Sequence, residues 1–503
     1  MLDVCKQLFH QWNVQEIKYC HWKSNEHLME GLDGETDLDV FVAPSDKEKA
    51  EAILLQCRYI ECLTQKGHRY PNVCEWIGFD TATGRLVHVH LHYQIITGTR
   101  YCKEYVFPVE DLIIASRVLD KETNVYVTDP NLEIIILHCR IALKAKKKHG
   151  IHVGKGDRRE IAYLKERMQK DIVHDLCVQL IGKNGDKFCS LIMEEKLSCE
   201  EWYRVYQIAS GWLKPYRKYS KLHVFFHYHF QKIRELFLLI ANKKFNRCFI
   251  NRKTFPNSHL SICLLGQDGS GKSTVTIELE KWLNWKIDAH RFYLGSGDHY
   301  NSFLKRLITR GAQFKHANDK QQTTSSERVD ETTTLKKRKK NFKNFLPAVL
   351  VAKNRLDVAR RTYKVVVHSE KYRCRGGIPL FDRFPQTQFE GIYDGPKIAN
   401  QYRNTGLDYI LVKMMARREL RYIEKAQQYQ PNLVFKLILS PEESIRRKPH
   451  ENLAIVKQKH EITKQLQFPN SIIHMIDAEQ DYQQELLMIK REIWNTIMRS
   501  VES

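Results

Sequence analysis

The chain has 503 residues and a mass of 59.5 kDa, which is enough for about three domains at ~150 residues each. A composition that is 42% hydrophobic and 28% charged excludes wholesale disorder, and 23 glycines with 14 prolines exclude a collagen-like chain. Lysine and arginine number 81 against 59 acidic residues, and the formal net charge of +22 favours anionic partners, whether nucleotides, phosphorylated sugars, nucleic acid or acidic lipid.

Residues 1–128 have the pattern of a small α/β domain, because short apolar runs alternate with stretches of helical spacing. Asp37 and Asp39 stand two residues apart at the start of one apolar run, so on a strand both side chains point to the same face. His88, His90 and His92 alternate on a later run and share one face in the same way. Asp37, Asp39 and His90 are candidate metal ligands; the other interpretation is a polar strand face whose histidines bind no metal.

About the first hundred residues resemble the nucleotidyltransferase fold, in which two carboxylates hold Mg²⁺ against a nucleoside triphosphate. Trp22-Lys23-Ser24 stands where that family has an apolar-Gly-Gly/Ser turn, and the histidine run stands where it has a third carboxylate. The resemblance implies nucleotidyl transfer with pyrophosphate as product. A related domain that binds nucleotide or substrate without catalysis is the alternative.

Residues 129–255 predict a basic helical region, opening at Asp129-Pro130 with a good N-cap and a proline at the first helical position. The span 213–253 holds eleven lysines and arginines against the single acid Glu235. Apolar residues recur there at helical spacing, at Phe226, Phe230, Ile233, Phe237 and Ile240. We expect this helix to pack its apolar face on its neighbours with a solvated basic face; the alternative is a helix that contacts an anionic membrane or nucleic acid.

Residues 256–503 predict a second α/β domain, interrupted at 315–344 by a polar and basic stretch that we expect to be a mobile insertion. An apolar strand precedes a G-x-x-x-x-G-K-S sequence and a helix follows it, which is the setting of a phosphate-binding loop. The loop residues are Gly266, Gln267, Asp268, Gly269, Ser270, Gly271, Lys272, Ser273 and Thr274. Glycines let successive N–H groups cradle phosphate oxygens, Lys272 would reach the β- and γ-phosphates, and Ser273 would place its hydroxyl on Mg²⁺. ATP and Mg²⁺ are therefore the expected cofactors.

Charged residues follow two later apolar strands of the same region. Asp382 ends one strand, where a carboxylate that helps to bind the metal ion is expected, and Arg383 beside it can bind an acceptor phosphate. Arg446 and Arg447 lie in the helical segment after the other strand. Cations there can neutralise charge on a transferred phosphoryl group and help to exclude water.

The region from about Ser261 to Trp494 resembles the thymidylate kinase-like branch of the P-loop nucleoside monophosphate kinases. Four features match in order: the G-x-D-G-x-G-K-S-T loop, Asn354-Arg355 ahead of the Asp382-Arg383-Phe384 strand end, the Pro-Glu-Glu-x-x-x-Arg segment, and a terminal Ile-Asp-Ala strand with its helix. The resemblance implies that Asp268 contacts the acceptor and that Arg355 and Arg383 hold the acceptor's phosphate. It also implies that Arg446 and Arg447 belong to a lid.

The reaction implied is transfer of the γ-phosphoryl of Mg·ATP to a small acceptor. A nucleoside monophosphate is one candidate. The loop is also similar to that of thymidylate kinase-like proteins associated with bacterial surface-polysaccharide synthesis, which makes a sugar-type precursor another. An ATP-dependent switch module on nucleic acid or membrane remains an alternative function.

The 13 cysteines are scattered and form no C-x-x-C pair, which fits neither a disulfide framework nor a zinc ribbon. The first residues lack the pattern of a signal peptide, and no stretch approaches the ~18 apolar residues of a membrane span. We expect a cytoplasmic protein that is soluble or at most peripheral to a membrane.

Overall fold

The computed structural model describes residues 1–65, 69–145, 153–244, 249–294, 332–402 and 410–502. The chain forms two compact units. The first comprises Met1–Phe245, Phe249–Ser258 and Lys490–Ser503, and the second comprises Asn246–Cys248 and His259–Ile489.

The first unit contains a seven-stranded mixed sheet in the order β3-β4-β5-β2-β1-β9-β8, and β6 pairs with β7 separately. The strands are β1 (Tyr19–His21), β2 (Asp37–Val42), β3 (Ile60–Glu61), β4 (Val73–Phe79), β5 (Leu86–His92), β6 (Ile96–Thr97), β7 (Tyr105–Val106), β8 (Val118–Asp120) and β9 (Val125–Val127). The β2–β5 and β1–β9 pairs are parallel, and the other pairs are antiparallel.

Alternation along β2 and β5 separates an apolar face from a polar one. Leu38 and Val40 on β2, and Val87 and Val89 on β5, are fully buried in one core that also takes residues of the first helix. Since successive strand side chains point to opposite faces, the aspartates and histidines between them are gathered on the other side of the sheet.

The helices of the first unit are α1 (Asp3–Val14), α2 (Leu28–Leu32), α3 (Lys47–Gln56), α4 (Glu110–Ser116), α5 (Pro130–Ala145), α6 (Lys155–Lys165), α7 (Lys170–Ile181), α8 (Gly185–Met193), α9 (Cys199–Trp212) and α10 (Lys221–Lys244). The helix predicted after Asp129 begins at Pro130, and the Asp129 carboxylate accepts the N–H of Asn131 at 2.7 Å. Helices α5 to α9 share a second apolar core.

The second unit is a five-stranded, fully parallel sheet in the order β11-β12-β10-β13-β14. Its strands are β10 (Ile262–Gly266), β11 (Ala289–Phe292), β12 (Ile378–Phe381), β13 (Leu433–Ile438) and β14 (Ile472–Asp477). Every residue of β10 and β12 is buried, as expected for strands covered on both faces. Because the strands are parallel, the loops after β10, β12 and β13 meet at one edge of the sheet.

The helices of the second unit are α11 (Lys272–Leu283), α12 (Thr332–Arg373), α13 (Ile398–Tyr402), α14 (Ile410–Gln427), α15 (Pro441–Arg447), α16 (Leu453–Gln465) and α17 (Tyr482–Glu502), the last of which runs on into residues of the first unit. The α/β class with a parallel sheet is confirmed. Of the insertion predicted at 315–344, residues 315–331 lie outside the described residues, and α12 begins at Thr332.

One sequence expectation about α10 is wrong. The five apolar residues expected to pack on neighbouring elements are 57% to 69% exposed. The buried positions of this helix, such as Val224 and Gln231, lie on its other side, so the helix docks through a face that mixes apolar and polar residues. None of the helices in the described parts of the chain combines the length and hydropathy needed to cross a bilayer.

Candidate functional site

The loop between β10 and α11 needs glycine at three positions. Gly269 and Gly271 have φ of +87° and +85°, in the left-handed region that favours glycine. A Cβ on Gly266 would lie 2.7 Å from the carbonyl oxygen of Leu437 on the adjacent strand β13. The backbone of this loop therefore turns tightly against the sheet and delivers the chain to the first residue of α11.

Lys272 opens α11 and folds back over the loop. Its ammonium donates to the carbonyl oxygen of Gln267 at 2.7 Å. Burial lowers the pKa of Lys272 to about 8, in spite of the opposing field of Asp268. Among the described residues this buried ammonium has one hydrogen bond, to a carbonyl, and it would gain a stronger partner from an anion in the loop.

Three buried polar oxygens around the loop have no hydrogen-bond partner among the described residues. They are Ser270 Oγ, Gln267 Oε1 and Asp382 Oδ1. Buried polar groups are nearly always paired in native proteins, so such atoms mark a place where a ligand completes the structure. The exposed Ser273 hydroxyl in the first turn of α11 and the Asp382 carboxylate are hard oxygen donors of the kind that Mg²⁺ takes. The residues present fit a nucleotide phosphate with its metal ion.

Asp382 and Arg383 follow directly after β12, which pairs with β10 and so places them beside the loop. Arg383 Nε lies 3.9 Å from Asp382 Oδ1, and Arg383 Nη1 lies 3.7 Å from Asp394 Oδ1. Burial raises the pKa of the Asp394 carboxyl, and Arg383 opposes that effect. Asp394 was not among the predicted site residues, because Asp394-Gly395-Pro396 reads in sequence only as a turn.

Asp268 is paired with Lys459 on α16 through its Oδ2 atom. Burial alone would raise the pKa of Asp268, but the hydrogen bond and charge of Lys459 lower it overall, so this carboxylate stays ionised. No motif singles out Lys459 in the sequence, since α16 has an ordinary mixture of polar and apolar residues. Its role becomes visible only when the fold brings α16 to the loop.

The two arginines of α15 occupy different environments. Arg447 Nη1 donates to the carbonyl oxygen of Gly269 at 3.3 Å, while its Nε donates to Glu443 Oε1 at 2.8 Å. Arg446 Nε donates to Glu443 Oε2 at 2.6 Å, and its side chain is 78% exposed. These hydrogen bonds lower the pKa of Glu443 to about 2. Arg447 therefore contacts the loop backbone directly, and a lid role for the pair stays a prediction.

A cavity of about 190 Å³ lies between α12 and α14 and is bordered by Arg355 and Asp394. Arg355 Nη1 donates to the carbonyl oxygen of Lys397 at 2.8 Å, and the buried Glu419 accepts the Lys397 N–H at 3.1 Å. Since Asp394 also pairs with Arg383, this polar cavity adjoins the strand end that carries Asp382. Of the two arginines predicted to hold an acceptor phosphate, Arg355 borders the cavity and Arg383 contacts it only through Asp394.

A second polar cluster lies on one face of the first unit's sheet. The β2–β5 register sets Asp37 opposite His88 and Asp39 opposite His90. His88 Nδ1 lies 2.8 Å from Asp37 Oδ1, and His90 Nδ1 lies 3.2 Å from Asp39 Oδ1. Glu75 on β4 joins them, with its Oε2 3.0 Å from His88 Nε2. The structure brings Asp37, Asp39 and His90 together and adds a carboxylate, Glu75, that sequence spacing did not reveal.

Two overlapping groups in this cluster have the make-up of a metal site. Their ligand atoms lie within 4.8 Å of one another in Asp37, His88 and His90, and in Asp39, His90 and His92. Burial lowers the pKa of His92 to about 4, which keeps it in the neutral form that binds metals. Oxygen and imidazole donors of this kind suit a divalent ion.

Lysines also contact these carboxylates. Lys23 Nζ lies 2.8 Å from Asp39 Oδ1, and Lys253 Nζ lies 2.7 Å from Glu75 Oε2. Burial would raise the pKa of Asp39, but Lys23 and the neighbouring histidines hold it well below its usual range. The ammonium groups therefore share the carboxylates with any metal ion that binds.

Comparison with known proteins adds the following findings. No family model matches the chain. It is 27% identical over 250 residues to the uncharacterized ATP-binding protein YghR of Escherichia coli (strain K12), covering 48% of this chain and 92% of that protein. It is 27% identical over 230 residues to the uncharacterized ATP-binding protein YghS of the same strain, covering 43% and 85%. A solved deoxyadenosine kinase from M. mycoides with bound dATP is similar with 14% identity and a TM-score of 0.26, covering 46% of this chain and 98% of that one.

Affinity for ATP should fall as the pH rises through about 8, the pKa of Lys272 in the free protein. Only the protonated amine pairs with phosphate, so bound phosphate raises this pKa and binding above that pH takes up a proton. Below about pH 7 the contribution of Lys272 to ATP affinity should be constant. Above about pH 8, each further pH unit should raise the dissociation constant by up to about tenfold, until the pH reaches the pKa of Lys272 in the ATP complex. The dissociation constant of a fluorescent ATP analogue across this pH range measures the effect.

Lys272→Arg keeps its charge over the same pH range and is the matched control. Its affinity should be nearly independent of pH. An equally steep dependence in Lys272→Arg would show that another group titrates, and would contradict the assignment to Lys272.

Proposed function

We propose that the second unit is an ATP-dependent kinase, which transfers the γ-phosphoryl group of Mg·ATP to a small acceptor. The observation that carries the proposal is the buried Lys272 ammonium inside a glycine loop, beside Asp382 at the carboxyl edge of a parallel sheet. Similarity to two proteins named for ATP binding supports it. We further propose that the reaction takes place in the cytoplasm, where ATP is supplied.

In this reaction Lys272 would exchange its contact with the Gln267 carbonyl for the β- and γ-phosphate oxygens, and the N–H groups of the loop would cradle the same phosphates. Ser273 and Asp382 would hold Mg²⁺, which supplies neutralisation of phosphate charge when it is bound. Arg383 stands next to Asp382 and would stabilise charge on the transferred group. Most of the rate would therefore come from positioning and electrostatics.

The acceptor would occupy the cavity bordered by Arg355 and Asp394. Arg355 and Arg383 would hold its phosphate, and Asp268, kept ionised by Lys459, would accept a hydrogen bond from a hydroxyl group of the acceptor and so orient it. The cavity is small and its lining mixes polar residues with apolar ones such as Val358 and Ile423, which suits a nucleoside monophosphate of the thymidylate type or a sugar-type precursor of a polysaccharide. Arg446 and Arg447 would close over the loop as a lid.

As a second candidate, we propose a nucleotidyltransferase-like activity in the first unit. Its support is the β2–β5 register, which gathers Asp37, Asp39 and His90 with Glu75 on one sheet face. Two groups on this face have ligand atoms close enough for a divalent ion: Asp37 with His88 and His90, and Asp39 with His90 and His92. Such an ion would be held against a nucleoside triphosphate, although Lys23 contacts Asp39 and Lys253 contacts Glu75. A binding domain without catalysis is the other outcome for this unit.

Lys272→Ala should abolish transfer of label from γ-labelled ATP to its acceptor, with a loss of at least about 100-fold, because the cation that neutralises the phosphates is removed. The acceptors to assay are nucleoside monophosphates, sugars and sugar phosphates. Lys281→Ala is the matched control, since Lys281 is an exposed lysine of the same helix that pairs only locally with Glu278. Transfer that survives in folded Lys272→Ala would rule out the kinase proposal.

Asp39→Asn should abolish pyrophosphate release from nucleoside triphosphates if the first unit is catalytic, while Lys272→Ala should leave that release unchanged. Asp111→Asn, at an acidic position on α4 outside the cluster, controls for loss of a surface charge. A coupled pyrophosphate assay with all four nucleoside triphosphates makes the measurement. Absence of pyrophosphate with every triphosphate, or equal release by Asp39→Asn, would remove this second candidate and leave the kinase proposal untouched.

A further inference from the structure

Helix α10 presents an unusually large apolar surface to solvent. Nine of its large apolar side chains are between 57% and 70% exposed: Leu222, Phe225, Phe226, Phe230, Ile233, Leu236, Phe237, Leu239 and Ile240. Isolated exposed apolar residues are normal in proteins, but a contiguous group of this size marks an interaction surface.

The exposed apolar residues form one face of the helix. At 100° per residue, Leu222, Ile233 and Ile240 lie almost in line, and the other six fall on either side of them within about half of the circumference. The opposite side contains the buried Val224 and Gln231. A surface helix normally turns its apolar stripe toward the core, and α10 does the reverse.

Positive charge borders this apolar face. Lys221 and Lys232 lie along one edge, and Arg234 lies along the other. Glu235 is the single acid of the surrounding segment 213–253, which holds eleven lysines and arginines. The Glu235 carboxylate is already hydrogen-bonded within the first unit, because its Oε2 accepts a hydrogen bond from the Tyr101 hydroxyl at 2.6 Å.

This charge pattern decides among the partners that an apolar face can take. A second copy of the chain would bring two strongly basic segments together, and their repulsion would oppose association. A surface that binds nucleic acid carries its cations within the contact area, where they pair with phosphates. The centre of this face is instead aliphatic and aromatic, and the cations lie at its borders. An anionic bilayer surface suits both the apolar centre and the basic borders of this face. Acyl chains would contact the apolar residues, and anionic headgroups would pair with the cations at the borders.

We propose that α10 is an interfacial helix that lies in the plane of an anionic membrane surface. Its 24 residues extend about 36 Å along that plane. Phe226, Ile233 and Phe237 would enter the boundary between headgroups and acyl chains, while Lys232 and Arg234 pair with headgroup phosphates. The inference is independent of the kinase proposal, because it uses no residue of the phosphate loop or its surroundings.

Vesicle co-sedimentation of the full chain tests this inference. The protein should bind vesicles of phosphatidylcholine with phosphatidylserine and should bind phosphatidylcholine alone much more weakly. The triple variant Phe226→Ser, Ile233→Ser, Phe237→Ser should bind the anionic vesicles at least about tenfold more weakly, because it loses the apolar contact. Lys232→Gln with Arg234→Gln should lose about tenfold or more, through weaker attraction to the headgroups.

The matched control is Val14→Ser with Leu55→Ser, which replaces apolar residues of the same unit that are 62% and 52% exposed but lie away from α10. It should bind vesicles as the original chain does. Equal far-UV circular dichroism and thermal midpoints establish that all variants are folded, as expected for substitutions at exposed positions.

Three results would overturn the inference. The first is an original chain that binds neither kind of vesicle, and the second is a triple variant that binds as well as the control. The third is evidence for a different partner in the absence of lipid. Either the original chain self-associates in sedimentation velocity and the triple variant is a monomer, or the original chain binds duplex nucleic acid and the triple variant binds it more weakly.

Discussion

The tight turn of the chain at Gly266, against the carbonyl of Leu437, is the constraint on which the second unit depends. It brings the loop after the central strand β10 close to β13, so that Lys272 starts its helix with its ammonium buried beneath the loop. A buried cation with a lowered pKa is poorly compensated within the protein and gains most from an anionic ligand. Ser270 Oγ and Asp382 Oδ1 are buried at the same place and have no hydrogen-bond partner among the described residues, so they too indicate a ligand.

The sequence predicts the parts of this site that follow from local backbone rules. Glycines at 266, 269 and 271 indicate the loop, and an apolar run ending in Asp382 indicates the neighbouring strand. Lys459 escapes prediction because it pairs with Asp268, which lies far away in the sequence. Asp394 pairs with the nearby Arg383, but it lies in an irregular segment whose path no periodicity predicts. Spacing along one chain segment contains no information about such pairs.

The first unit shows the same division. Alternation predicts that Asp37 and Asp39 share a face, and that the three histidines share one, but only the β2–β5 register makes these the same face. Glu75 comes from β4, Lys23 from the segment after β1, and Lys253 from the segment after α10. Periodicity also identifies the apolar stripe of α10 correctly, but the expectation that this stripe packs on neighbouring elements is wrong, since the stripe is exposed. A helical pattern identifies an apolar face without showing what the face contacts.

Hydrogen exchange of the full chain with and without Mg·ATP tests whether the loop binds phosphate, because it reports on the loop amides themselves. Phosphate binding by the loop predicts slower exchange across residues 266–276 when Mg·ATP is added, and loss of that protection in Lys272→Ala, since phosphate oxygens would accept hydrogen bonds from the loop N–H groups. Unchanged exchange across that loop at saturating ATP, or protection confined to β2 and β5, would contradict it.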